Sequence, residues 1–150
     1  MNAKPPSTGL FLVTLQLTLV VLLVWPWTTM HWLPFALPIL LAGAALGIWS
    51  LTANRPGNFN IRPELKANAR FITWGPYAKI RHPMYSAVLL VALGLAFLYS
   101  DWFKFLCCAL LYLVLRAKSG IEEEAMAARF PGYRDYASMT GRFFPKVMIG

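Results

Sequence analysis

The sequence predicts an all-α integral membrane protein. About four transmembrane helices are joined by a polar loop and followed by a helical tail. Three observations carry this. Of 150 residues, 58% are hydrophobic and only 13% charged, against roughly 25% charged in an average soluble domain. The apolar residues come in long uncharged runs, Gly9 to Trp25 and Leu33 to Ala53, each near the about 20 residues a span needs. All the basic residues but Lys104, which lies by the turn at Asp101, fall in three stretches: Lys4, a central loop, and the tail with its approach.

The first segment covers about 9–25. A cleaved signal peptide would also be apolar there, but no small-residue cleavage site follows. Trp25-Pro26-Trp27 follows instead and reads as an interfacial aromatic belt. A short uncharged turn with His31 and Pro34 leads to the second segment, about 34–53. Its Gly43 and Gly47 form a small-xxx-small pair that permits close helix approach, within the bundle or between two copies. The third and fourth segments, about 83–99 and 102–117, flank Asp101, which marks a tight turn. At 1.5 Å per residue they reach about 25 Å, short of the ~30 Å hydrocarbon core. The whole chain forms one domain.

Charge placement predicts topology. The loop 54–82 carries Arg55, Arg62, Lys66, Arg70, Lys79 and Arg81. The tail 118–150 and its approach carry Arg116, Lys118, Arg129, Arg134, Arg142 and Lys146. Both are expected on the cytoplasmic side, with both termini, of what is most simply the inner (cell) membrane. The net charge of +8 then reflects membrane topology rather than a nucleic-acid partner. Cys107 and Cys108 are adjacent in an apolar run and read as small hydrophobes. Only two histidines are present, far apart, which argues against a metal site. No glycine-rich phosphate or dinucleotide loop occurs. No acidic residue lies inside an apolar segment, which argues against a proton-coupled exporter.

Two constellations carry chemistry. The first is the run Gly75 to Tyr85, polar and basic, opening into an apolar helix at Pro83. Free N–H groups and the helix dipole there attract anions. His82 can donate or accept a proton, and Tyr77 and Tyr85 offer hydroxyls and π faces. The bland account makes Arg81 a positive-inside residue and the tyrosines belt residues. The second is the tail. Ser119-Gly120-Ile121-Glu122 has the form of a capping box that would start a new helix, ending at Pro131-Gly132. On that account Glu122 is a cap, and Glu123 and Glu124 a solvated helix start. Yet Lys118, Glu122, Met126 and Phe130 fall on one stripe, so Glu122 points the same way as apolar residues and needs a partner or a task.

In combination these residues resemble the membrane methyltransferases typified by isoprenylcysteine carboxyl methyltransferase, related to phospholipid N-methyltransferases. The parts are Gly57-Asn58-Phe59-Asn60, Arg70 to Tyr77, Arg81-His82-Pro83-Met84-Tyr85, Glu122-Glu123 with Met126, Phe130 and Tyr136, and Arg142-Phe143-Phe144-Pro145. The resemblance covers roughly 57–145. It implies S-adenosylmethionine as methyl donor, with S-adenosylhomocysteine as product. It implies donor contacts at Arg62, Ala69, Arg70, Phe71, Ile72, Tyr77, Arg81, His82, Pro83, Met84, Tyr85 and Glu122. An upstream glutamine of the family falls on Arg62. The family's substrate-binding arginine falls on Lys118, with Arg116 near enough to substitute on a continuous helix; Arg and Lys grip a carboxylate differently. Catalytic roles are thus expected at Glu122, Lys118 and Arg116. The implied acceptor is a lipophilic or membrane-embedded molecule, a prenylcysteine-like carboxylate being most like the family. A phospholipid amine and a small thiol are alternatives, and a non-catalytic protein that binds anionic lipids is the alternative from another class.

Overall fold

A computed structural model describes residues 6–31, 33–54 and 69–146. Arg62 and the Gly57-Asn58-Phe59-Asn60 motif lie outside these residues, as do Arg55 and Lys66. The described residues are helical, without a strand: α1 (Pro6–Val24), α2 (Ala36–Ala53), α3 (Pro83–Tyr99), α4 (Trp102–Arg129) and α5 (Tyr133–Met139), with a 3-10 turn at Gly75–Ala78 before α3.

Each boundary has a local cause. Pro83 occupies the first turn of α3, where a missing N–H costs nothing. Ser100 adopts a left-handed φ of 47° and ends α3. The Asp101 carboxylate then accepts from the Phe103 N–H at 2.8 Å and caps α4. This is the tight turn expected at Asp101.

α4 corrects the sequence reading. The fourth segment does not stop near 117, and no new helix begins at Ser119. One helix of 28 residues runs through, about 42 Å long. Nothing between 117 and 120 breaks it. The Ser119 hydroxyl donates back to the Arg116 carbonyl at 2.9 Å, so it does not cap. The stop before Pro131 occurs as expected.

The four long helices run up and down. At one end the His31 N–H donates to the Leu98 carbonyl at 2.8 Å. There too the fully buried Lys104 donates to the carbonyls of Leu23 and Trp25, at 2.6 and 2.8 Å. These bonds satisfy the open carbonyl end of α1. At the opposite end Gly75, with φ 62°, turns the chain against Ala53 and Trp49. The two polar stretches therefore meet at one end.

α2 and α3 pack through small residues. A Cβ on Gly43 would come within 2.9 Å of the Val91 backbone nitrogen, and one on Gly94 within 2.7 Å of Leu40. The small-xxx-small residue Gly43 thus serves packing inside the chain. Leu12, Leu19 and Leu23 of α1 meet Ala92 of α3 and Cys107, Leu111, Val114 and Leu115 of α4 in the core. The two cysteines are free thiols, Cys107 buried and Cys108 partly so.

The outward faces are apolar. Leu10, Phe11, Leu17, Val21, Leu41, Ile48, Leu51, Leu106 and Leu113 are all exposed. α2 is the one described helix both long and apolar enough to cross a membrane, and only 22% of it is buried within the chain. Thr8–Val24 and Pro83–Tyr99 are shorter apolar helices. A helix so apolar yet so little buried needs a lipid neighbour, not a protein core.

Candidate functional site

The site lies where the start of α3, the second half of α4 and the segment after α5 converge. Helical spacing builds the first wall. His82 and Tyr85 are three residues apart, and their rings stack at 5.5 Å with 6° between planes. Adjacent Glu122 and Glu123 on α4 differ by about 100° in direction, and both reach this wall.

Glu123 is the hub. Its Oε1 accepts from Arg81 Nε at 2.8 Å and Arg142 Nε at 3.1 Å. Its Oε2 accepts from Arg142 Nη2 at 2.6 Å, a two-point grip. His82 Nε2 lies 3.1 Å from Oε1. Glu122 takes the other side: Tyr85 donates its hydroxyl to Oε1 at 2.5 Å, and Oε2 lies 3.3 Å from His82 Nδ1. Each ring nitrogen of His82 thus faces a different carboxylate, an arrangement that suits the doubly protonated ring.

This overturns the reading of Glu123 as a solvated helix start. Continuity of α4 turns both glutamates inward, and Arg142 supplies the partner. Two signals pointed there: Arg81 and Arg142 are basic residues at opposite ends of the motif set that need counter-charges, and Glu123 stands beside the one carboxylate already placed on an apolar stripe.

The segment after α5 closes the site over α3. Gly141 pairs with Ile80 as a parallel bridge. The Arg81 N–H donates to the Gly141 carbonyl at 2.8 Å and the His82 N–H to that of Arg142 at 3.0 Å. At this helix mouth the amides of Arg81 and His82 are therefore occupied by the chain itself, and Pro83 has none. The Ser86 hydroxyl donates to the Phe143 carbonyl at 2.6 Å. Arg81 Nη1 donates to the carbonyls of Ala137, at 2.9 Å, and Thr140.

The remaining expected residues fall around this centre. Phe71 sits in an aromatic box, with ring centroids 5.6 Å from Phe130, 5.5 Å from Tyr133 and 5.1 Å from Tyr136. Ala69 and Ile72 are half-buried and Arg70 is exposed. Tyr136 donates its hydroxyl to the Tyr77 carbonyl at 2.6 Å. Burial raises the Tyr77 hydroxyl to about 12, against a lowering hydrogen bond with Asn54, so it stays protonated. Pro83 is buried and Met84 half-buried. Lys118 is buried, its Nζ 5.4 Å from the Tyr85 ring centroid. Arg116, about 200° away around α4, is exposed. The structure thus brings Tyr85, His82, Arg81, Glu122 and Lys118 together and leaves Arg116 apart. Glu123, Arg142 and Gln16, whose Oε1 accepts from Lys118 Nζ at 2.6 Å, join them. Among the described residues no cluster of His, Cys, Asp and Glu could hold a metal.

The ionisations set a pH window. Burial works to raise Glu123, but His82, Arg142 and Arg81 overcome it and hold the carboxyl down at about 2. Its contribution to stability is complete above the ordinary 4.5 and lost as pH falls toward 2. Burial works to lower His82, and Glu122 and Glu123 reverse that, leaving it above the ordinary 6.5. Its contribution is complete below 6.5 and fades as pH rises through the raised value. Thermal unfolding in neutral detergent is expected to give a maximal Tm between about pH 4.5 and 6.5 and to decline on both sides. A profile that stays flat from pH 3 to 9 would contradict this electrostatic account.

The comparisons agree with the chemistry. A family model described as phospholipid methyltransferase matches residues 33–132. The cobalt-zinc-cadmium resistance protein CzcN of Cupriavidus metallidurans is 33% identical over 85 residues, 56% of this chain. That match spans 39% of the relative's length.

Proposed function

The chain belongs to the phospholipid methyltransferase family, a branch of the membrane methyltransferase superfamily that includes the isoprenylcysteine carboxyl methyltransferases, and on that footing we propose that it transfers a methyl group from S-adenosylmethionine to a lipophilic acceptor. All four long helices are taken as membrane spans, with loop, tail and termini on the cytoplasmic side. The observation that carries the reading is the paired-carboxylate centre, Glu122 and Glu123 joined through His82 and lined by Tyr85, at the end of the bundle where the polar stretches converge.

The residues present fit the donor's chemistry. It joins a carboxylate, an ammonium and a sulfonium to a ribose and an aromatic base. Glu122 and Glu123 stand among Arg81, Arg142 and His82, with Lys118 one turn from Glu122 along α4, so groups of both signs are at hand. Tyr77, Tyr85 and Phe71 supply π faces. When bound, S-adenosylmethionine supplies an activated methyl group.

The protein's task is then alignment and exclusion of water. Glu123, held by Arg81 and Arg142, fixes the imidazole of His82. His82 and Tyr85 together fix the Glu122 carboxylate. A carboxylate or thiolate acceptor needs no base. An amine must lose its proton, and Glu122 is placed to receive it. Lys118, buried beside Tyr85, orients an acceptor that carries negative charge and enters sideways from the lipid. The family description favours a phospholipid amine over a prenylcysteine-like carboxylate. The metal resistance in the relative's name stays with that relative.

Calorimetry with S-adenosylhomocysteine on the full chain in neutral detergent tests the proposal. Saturable one-to-one binding is expected. No heat at millimolar ligand, with the protein folded, would sink it.

A further inference from the structure

The core of the bundle draws its buried residues from α1, α3 and α4, with one from elsewhere: Phe143, on the segment after α5. Its backbone is held at three neighbouring points. The Ser86 hydroxyl donates to the Phe143 carbonyl at 2.6 Å. Arg142, just before it, grips Glu123, and Gly141 pairs with Ile80. So fixed, the segment inserts an aromatic ring where Tyr85 of α3 and Tyr112 of α4 both meet it.

The ring joins two surroundings. His82 and Tyr85, with centroids 6.2 and 6.3 Å away, belong to the carboxylate centre, and the Tyr85 hydroxyl bonds Glu122. Tyr112, at 5.8 Å, is 39% exposed beside the exposed Leu113 on the outward face of α4. Tyr112, Leu115, Ser119 and Glu122 follow one another at helical spacing along a single stripe of α4. A molecule that moves along this stripe from the lipid to Glu122 meets the Phe143 ring on the way. A side chain that touched only core residues would say nothing of function; this one touches both ends of the stripe. The packed ring leaves little slack, since interiors are close-packed and removal of a phenyl opens space that neighbours fill only in part.

We propose that Phe143 is a specificity-determining residue: its ring forms the lipid-side wall of the passage between Tyr112 and Glu122, so that the size of the side chain at position 143 sets how bulky a lipophilic acceptor can reach the site. This rests on the methyltransferase reading for the word acceptor. It gives the segment after α5 two tasks, closing the carboxylate centre through Arg142 and screening what enters from the bilayer through Phe143.

The test uses the full chain in vesicles of phosphatidylethanolamine and phosphatidylglycerol. Two lipid-soluble photoprobes that alkylate carboxylates are compared, a slim straight-chain alkyl diazirine and a globular adamantane diazirine. Label at Glu122 is mapped by mass spectrometry, with S-adenosylhomocysteine binding and Tm measured alongside. In wild type little globular label is expected at Glu122, and more from the slim probe. Phe143→Ala is expected to raise globular label at Glu122 several-fold, while the exposed Glu124 keeps its wild-type label. Phe143→Leu, which retains an apolar side chain in the core, is the second arm should Phe143→Ala unfold, and is expected to give a smaller rise in the same direction. Phe144→Ala, at the exposed neighbouring position, should leave the pattern as in wild type. A purely structural role for Phe143 leaves globular label at Glu122 unchanged in the folded variants, or raises it equally at Glu124 through general loosening. Either result, or equal labelling of wild-type Glu122 by both probes, overturns the proposal. Failure of S-adenosylhomocysteine to bind, with label at Glu122 still governed by residue 143, would instead strike the methyltransferase reading and leave the lipid-side passage standing.

Discussion

Glu123→Ala is expected to release the segment after α5 and to destabilise the protein by roughly 2–4 kcal/mol. Removing one partner of a buried charge cluster leaves the others uncompensated, at about 3–5 kcal/mol for full burial. The figure is reduced here because the Arg81, Glu123 and Arg142 side chains keep 12%, 14% and 27% exposure. Both arginines lose their carboxylate at once. Arg142 lies directly on the segment that pairs with Ile80 through Gly141. The readout is a lowered Tm together with faster proteolysis after residue 140. Glu124→Ala, one position on and exposed, serves as control and should change neither. Equal behaviour of the two variants would remove Glu123 from the centre of the fold's closure.

Glu122→Gln should separate binding from folding. The amide keeps the shape and an acceptor for the Tyr85 hydroxyl, but the charge opposite His82 and beside Lys118 is gone. A charge-assisted hydrogen bond contributes about 1.5–3 kcal/mol, so S-adenosylhomocysteine affinity should fall roughly tenfold to a hundredfold. The Tm should move little, because Glu123 still holds His82 and both arginines. Unchanged affinity would take Glu122 out of the donor site. A collapse of Tm equal to that of Glu123→Ala would make it a structural residue.

The legible part of this fold was the part written in long apolar runs and in charge placement. α2 and α3 follow from uncharged segments bounded by proline, glycine and serine, and the capping of α4 follows from Asp101. The continuity of α4 was hidden because Ser119-Gly120-Ile121-Glu122 satisfies a capping pattern that the chain does not use. A serine one helical turn after Arg116 can bond backward as easily as forward, and only tertiary context chooses. That single ambiguity also concealed Glu123. Glu122 was legible from its stripe with Met126 and Phe130. Gln16 was missed because an isolated amide in an apolar run announces no partner, and Lys118 stands 102 positions away. Anion binding by open amides at the start of α3 was a sound local inference. A segment sixty residues downstream claims the amides of Arg81 and His82, which a local reading of the helix start does not reveal.

The uninterrupted α4 has a mechanical consequence. Lys104 tethers one end of this rod to the turn after α1, and Glu122 stands eighteen residues further along, about 27 Å away. That interval is close to the thickness of a hydrocarbon core, about 30 Å. In the proposed topology the rod works as a depth gauge. It sets how far above the lipid tails the carboxylate pair sits, and a thicker or thinner bilayer shifts that height by tilting one stiff body rather than by bending a joint.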